Sequence, residues 1–306
     1  MDIRRTSIRV TIFPENGNPP LTLKKIPTRG QEIRPEHAVG SISELWPQEH
    51  TVFAIGITAP GLLYPPSGIV YAASHYLEWR NFPLKPIVSK NFGVPVSIES
   101  DANMVALGEW KFGTGQGDHG ILYLAISTGI GKGIILDDRV VLDWRGLAGE
   151  LGYVTVDRNI PFYSSGQKGH LEAMASRPAN SPYGSTQIAN GCSSLVTSSP
   201  PPTAKEIVQV ASEGNRLAIE PFTKADKFNG KTLTDFLHVF NPSIILLGGR
   251  GSFSGQLFAE PMRVAFYQHI ISPQYTHNLR ITTAALADNA GLSSALRLAR
   301  PDTPPG

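Results

Sequence analysis

Three carboxylates and one glycine-rich turn carry the chemistry this sequence can offer. Asp101 stands where an expected strand, Val94–Glu99, meets an expected helix, Asp101–Trp110. A carboxylate there can act as general base toward a sugar hydroxyl, or can serve as a plain helix cap. Glu150 sits in Ala148-Gly149-Glu150-Leu151-Gly152, and Glu172 follows Gly169-His170-Leu171. A loop carboxylate accepts paired hydrogen bonds from vicinal sugar hydroxyls, although an isolated one is also an ordinary solvated acid. Thr128-Gly129-Ile130-Gly131-Lys132-Gly133 carries three glycines at alternating positions. Glycine tolerates positive φ and lets backbone N–H groups approach an anion, and the Thr128 hydroxyl adds a donor for phosphate oxygen.

The elements around these residues follow from hydrophobic pattern. Ile121–Ser127 reads as a strand, the glycine turn spans Thr128–Gly133, and Ile134–Asp137 begins a returning strand. A dinucleotide fingerprint needs strand, glycines and then helix. Strand on both sides favours a phosphate-cradling β-hairpin, or a merely tight glycine hairpin. Further strands are expected over residues 6–13, Leu21–Ile26, Val52–Thr58 and Ser243–Leu247, the last followed by Gly248-Gly249. Helices are expected over residues 36–46 and 83–92, Lys205–Ala218, Thr232–Phe240 and Asp288–Ala299. Ser176–Pro202, rich in Ser, Pro and Asn, reads as a flexible excursion. Strands alternating with helices imply an α/β protein with mixed sheets, divided near residue 110.

Composition bounds the function classes. In 306 residues, 41% are hydrophobic and 17% charged, enough apolar material for a core and too much for wholesale disorder. The net charge of +2 and the absence of a long Lys/Arg block argue against a charge-driven nucleic-acid surface. One cysteine, Cys192, excludes an internal disulfide framework and a multi-cysteine zinc site. No apolar run approaches the ~18 residues of a membrane span, and the basic start MDIRRTSIRVTIF lacks a signal-peptide core. The expectation is a soluble cytoplasmic protein with no membrane partner.

Taken in order, these segments resemble the ROK family, the repressor and sugar-kinase group of the actin-like ATPase superfamily. The resemblance runs from about residue 2 to 299. It rests on Ser100-Asp101-Ala102-Asn103, Ala106-Leu107-Gly108-Glu109, Phe112-Gly113-Thr114-Gly115 and Ser127-Thr128-Gly129-Ile130-Gly131. It continues through Ala148–Gly152, Gly169–Glu172, Asn241-Pro242 with Gly248-Gly249, and Ala290-Gly291-Leu292. The resemblance implies a two-lobed α/β actin-like (ribonuclease H-like) fold with a cleft between lobes. It implies one lobe over residues 1–110, completed by the C-terminal helix 288–300, and a second over 111–287. It further implies ATP- and Mg2+-dependent phosphorylation of a hexose or N-acetylhexosamine. Asp101 would be the base, and Glu150 and Glu172 would bind sugar hydroxyls. Thr6, Thr128, Gly129 and Gly131 would hold phosphates, with Gly248 and Gly249 near the adenosine.

Several positions depart from the family pattern. In the first phosphate loop, Asp2-Ile3-Arg4-Arg5-Thr6, two arginines replace two glycines. They either obstruct the phosphate space or ion-pair with phosphate. Ser100 replaces the Asn before the base, and His75 stands at a sugar-contacting Asn position. The positions of the family's zinc ligands are Tyr153, Tyr163, Ser165 and His170, so no structural zinc is expected. Tyr153 also replaces a sugar-contacting His. The chain presents no helix-turn-helix ahead of its first strand, so no nucleic-acid partner is expected, whereas family habit points to a homo-oligomer. Two functions stand against each other: a sugar kinase, with activity weakened by these changes, or a non-catalytic sugar-binding or regulatory protein on the same scaffold.

Overall fold

The computed structural model describes residues 1–4, 7–15, 19–27, 35–73, 76–127, 129–142, 144–158, 169–176, 204–249, 256, 258–286 and 290–300. The chain divides into two compact units. One comprises Met1–Gln116, Gly133–Gly149 and Ala285–Gly306; the other comprises Gly117–Lys132 and Glu150–Ala284.

In the first unit, β1 (Asp2–Arg4), β2 (Ser7–Ile12), β3 (Thr22–Pro27), β4 (Ile55–Ala59) and β8 (Val96–Ser100) form a sheet of order β3-β2-β1-β4-β8. β1 pairs antiparallel with β2, Asp2 opposite Arg9, and parallel with β4, Asp2 opposite Thr58. Every residue of β4 is buried, as a central strand covered on both faces requires. β3 is exposed and carries Lys24 and Lys25, the charged pattern of a protected edge. Helix α1 (Pro35–Ser43) precedes β4 in the chain, and α2 (Leu84–Phe92) ends at Gly93, whose φ of 66° closes a left-handed cap. Between them runs a meander absent from the expected elements: β5 (Leu62–Tyr64), β6 (Ile69–Ala73) and β7 (Tyr76–Phe82). The fully buried Trp79 sits on β7.

Helix α3 (Asp101–Phe112) leaves β8 directly. The C-terminal helix α8 (Ala290–Ala299) packs on β4 and α3. Gly56 permits that approach, because a Cβ there would stand 1.7 Å from the Ala295 carbonyl oxygen. A groove of about 1220 Å³ opens in this unit beside Val10–Glu15, Val52–Gly56 and Arg300, and none of the residues singled out for chemistry lines it.

β9 (Gly120–Ile126), β10 (Ile130–Leu136), β11 (Arg139–Val140), β12 (Ile244–Gly249) and β13 (Arg280–Thr283) form a second sheet, ordered β11-β10-β9-β12-β13. β12 is parallel to both β9 and β13. The glycine turn is shorter than its spacing suggested. β10 begins at Ile130, so Gly131, Lys132 and Gly133 are strand residues rather than loop. Gly133 lies against α3, where a Cβ would come within 2.4 Å of the Ala106 Cβ.

The helices of the second unit are α4 (Leu171–Ala175), α5 (Ala204–Ser212), α6 (Arg216–Phe240) and α7 (Glu260–Gln268). The expected helices Lys205–Ala218 and Thr232–Phe240 are divided differently. The break comes at Gly214, with φ 88°, and one 25-residue helix then runs through to Phe240. Its stripe Ala218, Phe222, Ala225, Asn229, Leu233, Phe236 and Leu237 is buried at helical spacing. Gly230 lies within this helix, and its missing side chain lets α7 pass close by: a Cβ would be 2.3 Å from the Met262 carbonyl oxygen.

Candidate functional site

The first unit positions Asp101 through the junction of β8 and α3. The cap of α3 is Ser100, not Asp101: the Ser100 hydroxyl accepts from the Asn103 N–H at 3.4 Å. Asp101 is the first helical residue, half-buried, and its Oδ1 accepts from the Ala102 N–H at 2.8 Å. The carboxylate is thus oriented by the backbone at a helix start, where the dipole favours negative charge. Behind it, the buried Glu99 carboxylate accepts from the Ser100 N–H at 2.7 Å and the Asn103 side-chain amide at 3.1 Å. Glu109, fully buried at the other end of α3, accepts from the Thr114 N–H at 3.0 Å and the Leu286 N–H at 2.6 Å.

Asp2 is a second buried centre in this unit. Its side chain has no exposure. Oδ1 accepts from the Thr58 hydroxyl at 2.8 Å, and Oδ2 accepts from Arg4 Nε at 2.8 Å and Arg9 Nε at 2.9 Å, with Arg9 Nη2 also on it. The Arg4 side chain is therefore folded onto Asp2. Both Asp2 oxygens are engaged, Oδ2 by the two guanidinium groups and Oδ1 by the Thr58 hydroxyl, so a divalent cation at Asp2 would meet the positive charge of Arg4 and Arg9. Arg4 pairs with Ser7, and two residues join the strands. Thr6 lies outside the described residues.

The second unit brings Glu150 and Glu172 together with the start of β10. Glu172, in the first turn of α4, accepts from the Ile130 N–H through Oε2 at 2.9 Å. Gly129 leaves room for it, since a Cβ would stand 2.7 Å from that oxygen. Gly152, in the 3-10 turn Leu151–Tyr153, closes on the same spot: its Cβ would lie 2.6 Å from the Ile130 carbonyl oxygen. α4 is itself fixed by a bridge between Thr155 and His170 and by the Asn229 side chain, which donates to the Ala175 carbonyl at 2.9 Å. Glu150 Oε1 is 3.5 Å from Lys132 Nζ, and Lys132 is only 5% exposed. Burial raises the Glu150 carboxyl above its usual range, while the Lys132 charge opposes that rise. Burial also raises Glu172, the Ile130 N–H lowers it, and the Glu150 charge raises it further. The arrangement gathers two carboxylates, from α4 and from the start of the Leu151–Tyr153 turn, beside an ammonium on β10.

Tyr153 is 38% exposed, and its ring meets His170 edge-on at 5.7 Å. His170 Nδ1 is buried with no hydrogen-bond partner among the described residues. Tyr163 and Ser165 lie outside those residues, as do His75 and Thr128. Among the described residues no three His, Cys, Asp or Glu side chains gather as a metal cage. Magnesium carried on a nucleotide takes most of its ligands from phosphate and water, so no such cage is required for it. Gly248 and Gly249 end β12 packed tightly on β9: a Cβ on Gly248 would meet the Tyr123 hydroxyl at 2.5 Å, and one on Gly249, with φ 99°, the Ile126 carbonyl oxygen at 2.0 Å.

Sequence reasoning missed Lys132, Asp2 as an ion-pair centre, and the anchoring roles of Glu99 and Glu109. Lys132 alone had a signal: a single charge inside an otherwise small and apolar hairpin. None of the described helices is long and apolar enough to cross a membrane.

Comparison with known proteins identifies the family and the fold. The glucokinase of Thermotoga maritima is 30% identical over 305 residues, covering 96% of this chain and 94% of that protein. A putative xylose repressor of Caldicellulosiruptor sp. is 34% identical over 250 residues, and the match covers 80% of this chain and 61% of the repressor's own length. The crystal structure of a ROK family glucokinase from Streptomyces griseus, in complex with glucose and AMPPNP, matches with a TM-score of 0.74 and 29% identity, covering 98% of this chain and 97% of that one. The ROK hexokinase from Thermus thermophilus matches with a TM-score of 0.76 and 27% identity over 97% of this chain and 96% of that one. The fold is accordingly the α/β actin-like ATPase fold of the ROK kinases. A model of the ROK family matches residues 1–301, and the chain belongs to that family.

Proposed function

We propose that this protein is an ATP-dependent sugar kinase acting in the cytoplasm on a hydroxyl of a hexose or N-acetylhexosamine. The observation that carries the reading is the Glu150–Glu172 carboxylate pair held over the β9–β10 hairpin. Two partly buried acceptors on short, fixed elements suit a sugar diol, which donates one hydrogen bond to each. The S. griseus relative in complex with glucose and AMPPNP supports a sugar and an ATP analogue as ligands of this family.

In this reading Asp101 accepts the proton of the attacking sugar hydroxyl, while Glu150 and Glu172 fix the ring through its other hydroxyls. Ser100, His75 and Tyr153 complete the sugar contacts. Gly129, Gly131, Thr128 and Thr6 contribute donors toward the phosphates, and Gly248 and Gly249 border the adenosine. ATP with magnesium supplies the phosphoryl group and offsets its charge; positioning is the protein's main task.

The test is ADP release with ATP–magnesium and glucose, N-acetylglucosamine or N-acetylmannosamine. Asp101→Asn is expected to lower kcat by about 10²–10⁴ with sugar affinity retained, as loss of a general base does. Normal turnover in that variant would remove Asp101 from the mechanism.

One observation favours a second reading, a non-catalytic sugar-binding or regulatory protein: the Arg4 guanidinium on Asp2 in the first phosphate loop. That protein would gain thermal stability from sugar and consume no ATP.

A further inference from the structure

Lys132 has no role in the reading above, yet it is the residue that the local structure makes hardest to ignore. It lies on β10 between Gly131 and Gly133, is 5% exposed, and points its ammonium at Glu150 Oε1, 3.5 Å away. A buried ammonium is costly unless an opposite charge accompanies it. Glu150 has the converse difficulty. It is pushed toward protonation by burial, with Glu172 as a second carboxylate close enough to feel its charge. Two carboxylates in one partly buried site, without a cation, tend to keep one proton between them. A protonated carboxyl has spent one oxygen as a donor and accepts poorly from a sugar diol. Glu172 already has the Ile130 N–H, so the charge balance at Glu150 falls to Lys132. The groups facing Glu150 in this unit are Lys132 from β10 and Glu172 from α4. Among the described residues of the Leu151–Tyr153 turn and the start of α4, Tyr153 and His170, which meet edge-on, are the other titratable side chains.

We propose that Lys132 is the positioning residue of the sugar-binding carboxylates: its buried ammonium fixes Glu150 beside the hairpin and keeps the pair as hydrogen-bond acceptors. The proposal rests on the reading of Glu150 and Glu172 as sugar ligands.

The experiment is calorimetric titration of the full chain with glucose, N-acetylglucosamine and N-acetylmannosamine over about three pH units, from roughly pH 5.5 to 8.5. Lys132→Met keeps the length and removes the charge, Lys132→Gln is a polar second variant, and Lys132→Arg keeps the charge. In the neutral variants, affinity is expected to fall about tenfold at the acid end and to recover toward the alkaline end, as one unit of carboxyl titration dictates. Wild type and Lys132→Arg should stay nearly flat. Neutral variants whose curve runs parallel to wild type, at equal or uniformly lower affinity, would overturn the proposal, because a merely structural role moves no titration. If wild type binds none of the three sugars, the sugar-site reading fails by itself. The Lys132 proposal is then decided by carbon-13 NMR titration of the glutamate carboxyls, assigned with Glu150→Gln. A higher Glu150 midpoint in Lys132→Met supports it, and an unchanged midpoint overturns it.

Discussion

Removing the arginines on Asp2 one at a time should give two unequal losses. Arg9 reaches Oδ2 through both Nε and Nη2 and is 12% exposed, whereas Arg4 reaches it through Nε alone and is 26% exposed. A hydrogen bond to a charged group contributes about 1.5–3 kcal/mol, reduced where solvent reaches the donor. Arg4→Ala leaves Asp2 with Arg9 and Thr58 as partners, so the expected cost is about 1–2 kcal/mol. Arg9→Ala removes the better-buried partner and should cost about 3–4 kcal/mol, approaching the loss on breaking a buried pair. At about 2–4 °C per kcal/mol for a chain of this size, Arg4→Ala lowers Tm by roughly 2–8 °C and Arg9→Ala by about twice as much. The assay is thermal and urea unfolding at neutral pH, with ATP–magnesium titrated into each variant. If Arg4 is what keeps a cation from Asp2, nucleotide affinity rises in Arg4→Ala even as stability falls. An Arg4→Ala loss equal to or larger than that of Arg9→Ala would refute the reasoning, as would no loss in either.

Three further outcomes follow from other parts of the structure. Gly129→Ala sets a methyl 2.7 Å from Glu172 Oε2; sugar affinity, read by calorimetry, should fall about 10–100-fold, the equivalent of one charge-assisted hydrogen bond. Gly56→Ala drives a Cβ to 1.7 Å from the Ala295 carbonyl oxygen; overpacking against backbone should cost about 3 kcal/mol, with limited proteolysis cutting earliest around α8. Asp226, on α6, is raised by burial from 3.8 to about 7. The folded state therefore holds a proton that the unfolded chain has released. Stability from this group is full below about pH 4 and is lost as pH rises through about 7. The span from 3.8 to about 7, at about 1.4 kcal/mol per pH unit, caps the effect at about 4 kcal/mol. Asp226→Asn should flatten that limb of the stability–pH curve, and an unchanged difference curve would show that Asp226 does not titrate there.

Much of the fold was legible because it is written in local pattern. The alternation of Ser7–Ile12, the apolar run at β4 and the glycine closing α2 mark their elements with side-chain spacing alone. The β5–β7 meander escaped because β5 and β6 are short and the register is irregular near Ala72. The extent of α6 escaped because Gly230 looks like punctuation until α7 is seen lying against it. As a candidate for the site, Asp101 stood out from its place between strand and helix. Whether Ser100 or Asp101 caps the helix was not, since both are good caps and only backbone geometry separates them.

The sequence by itself determined which chemistry is on offer: a carboxylate at a helix start, two loop carboxylates, a glycine hairpin and an arginine pair in the first turn. These depend on residue type and short spacing, which the chain carries without folding. Only the tertiary structure decided who partners whom. Glu172 meets the Ile130 N–H across 42 positions, Asp2 meets Thr58 across 56, and Glu109 meets Leu286 across 177. Lys132 likewise faces Glu150 only after β10 and the Leu151–Tyr153 turn have closed on each other. A charge acquires its partner, its burial and its protonation state from neighbours distant in sequence, and those neighbours arrive only when sheets and helices pack.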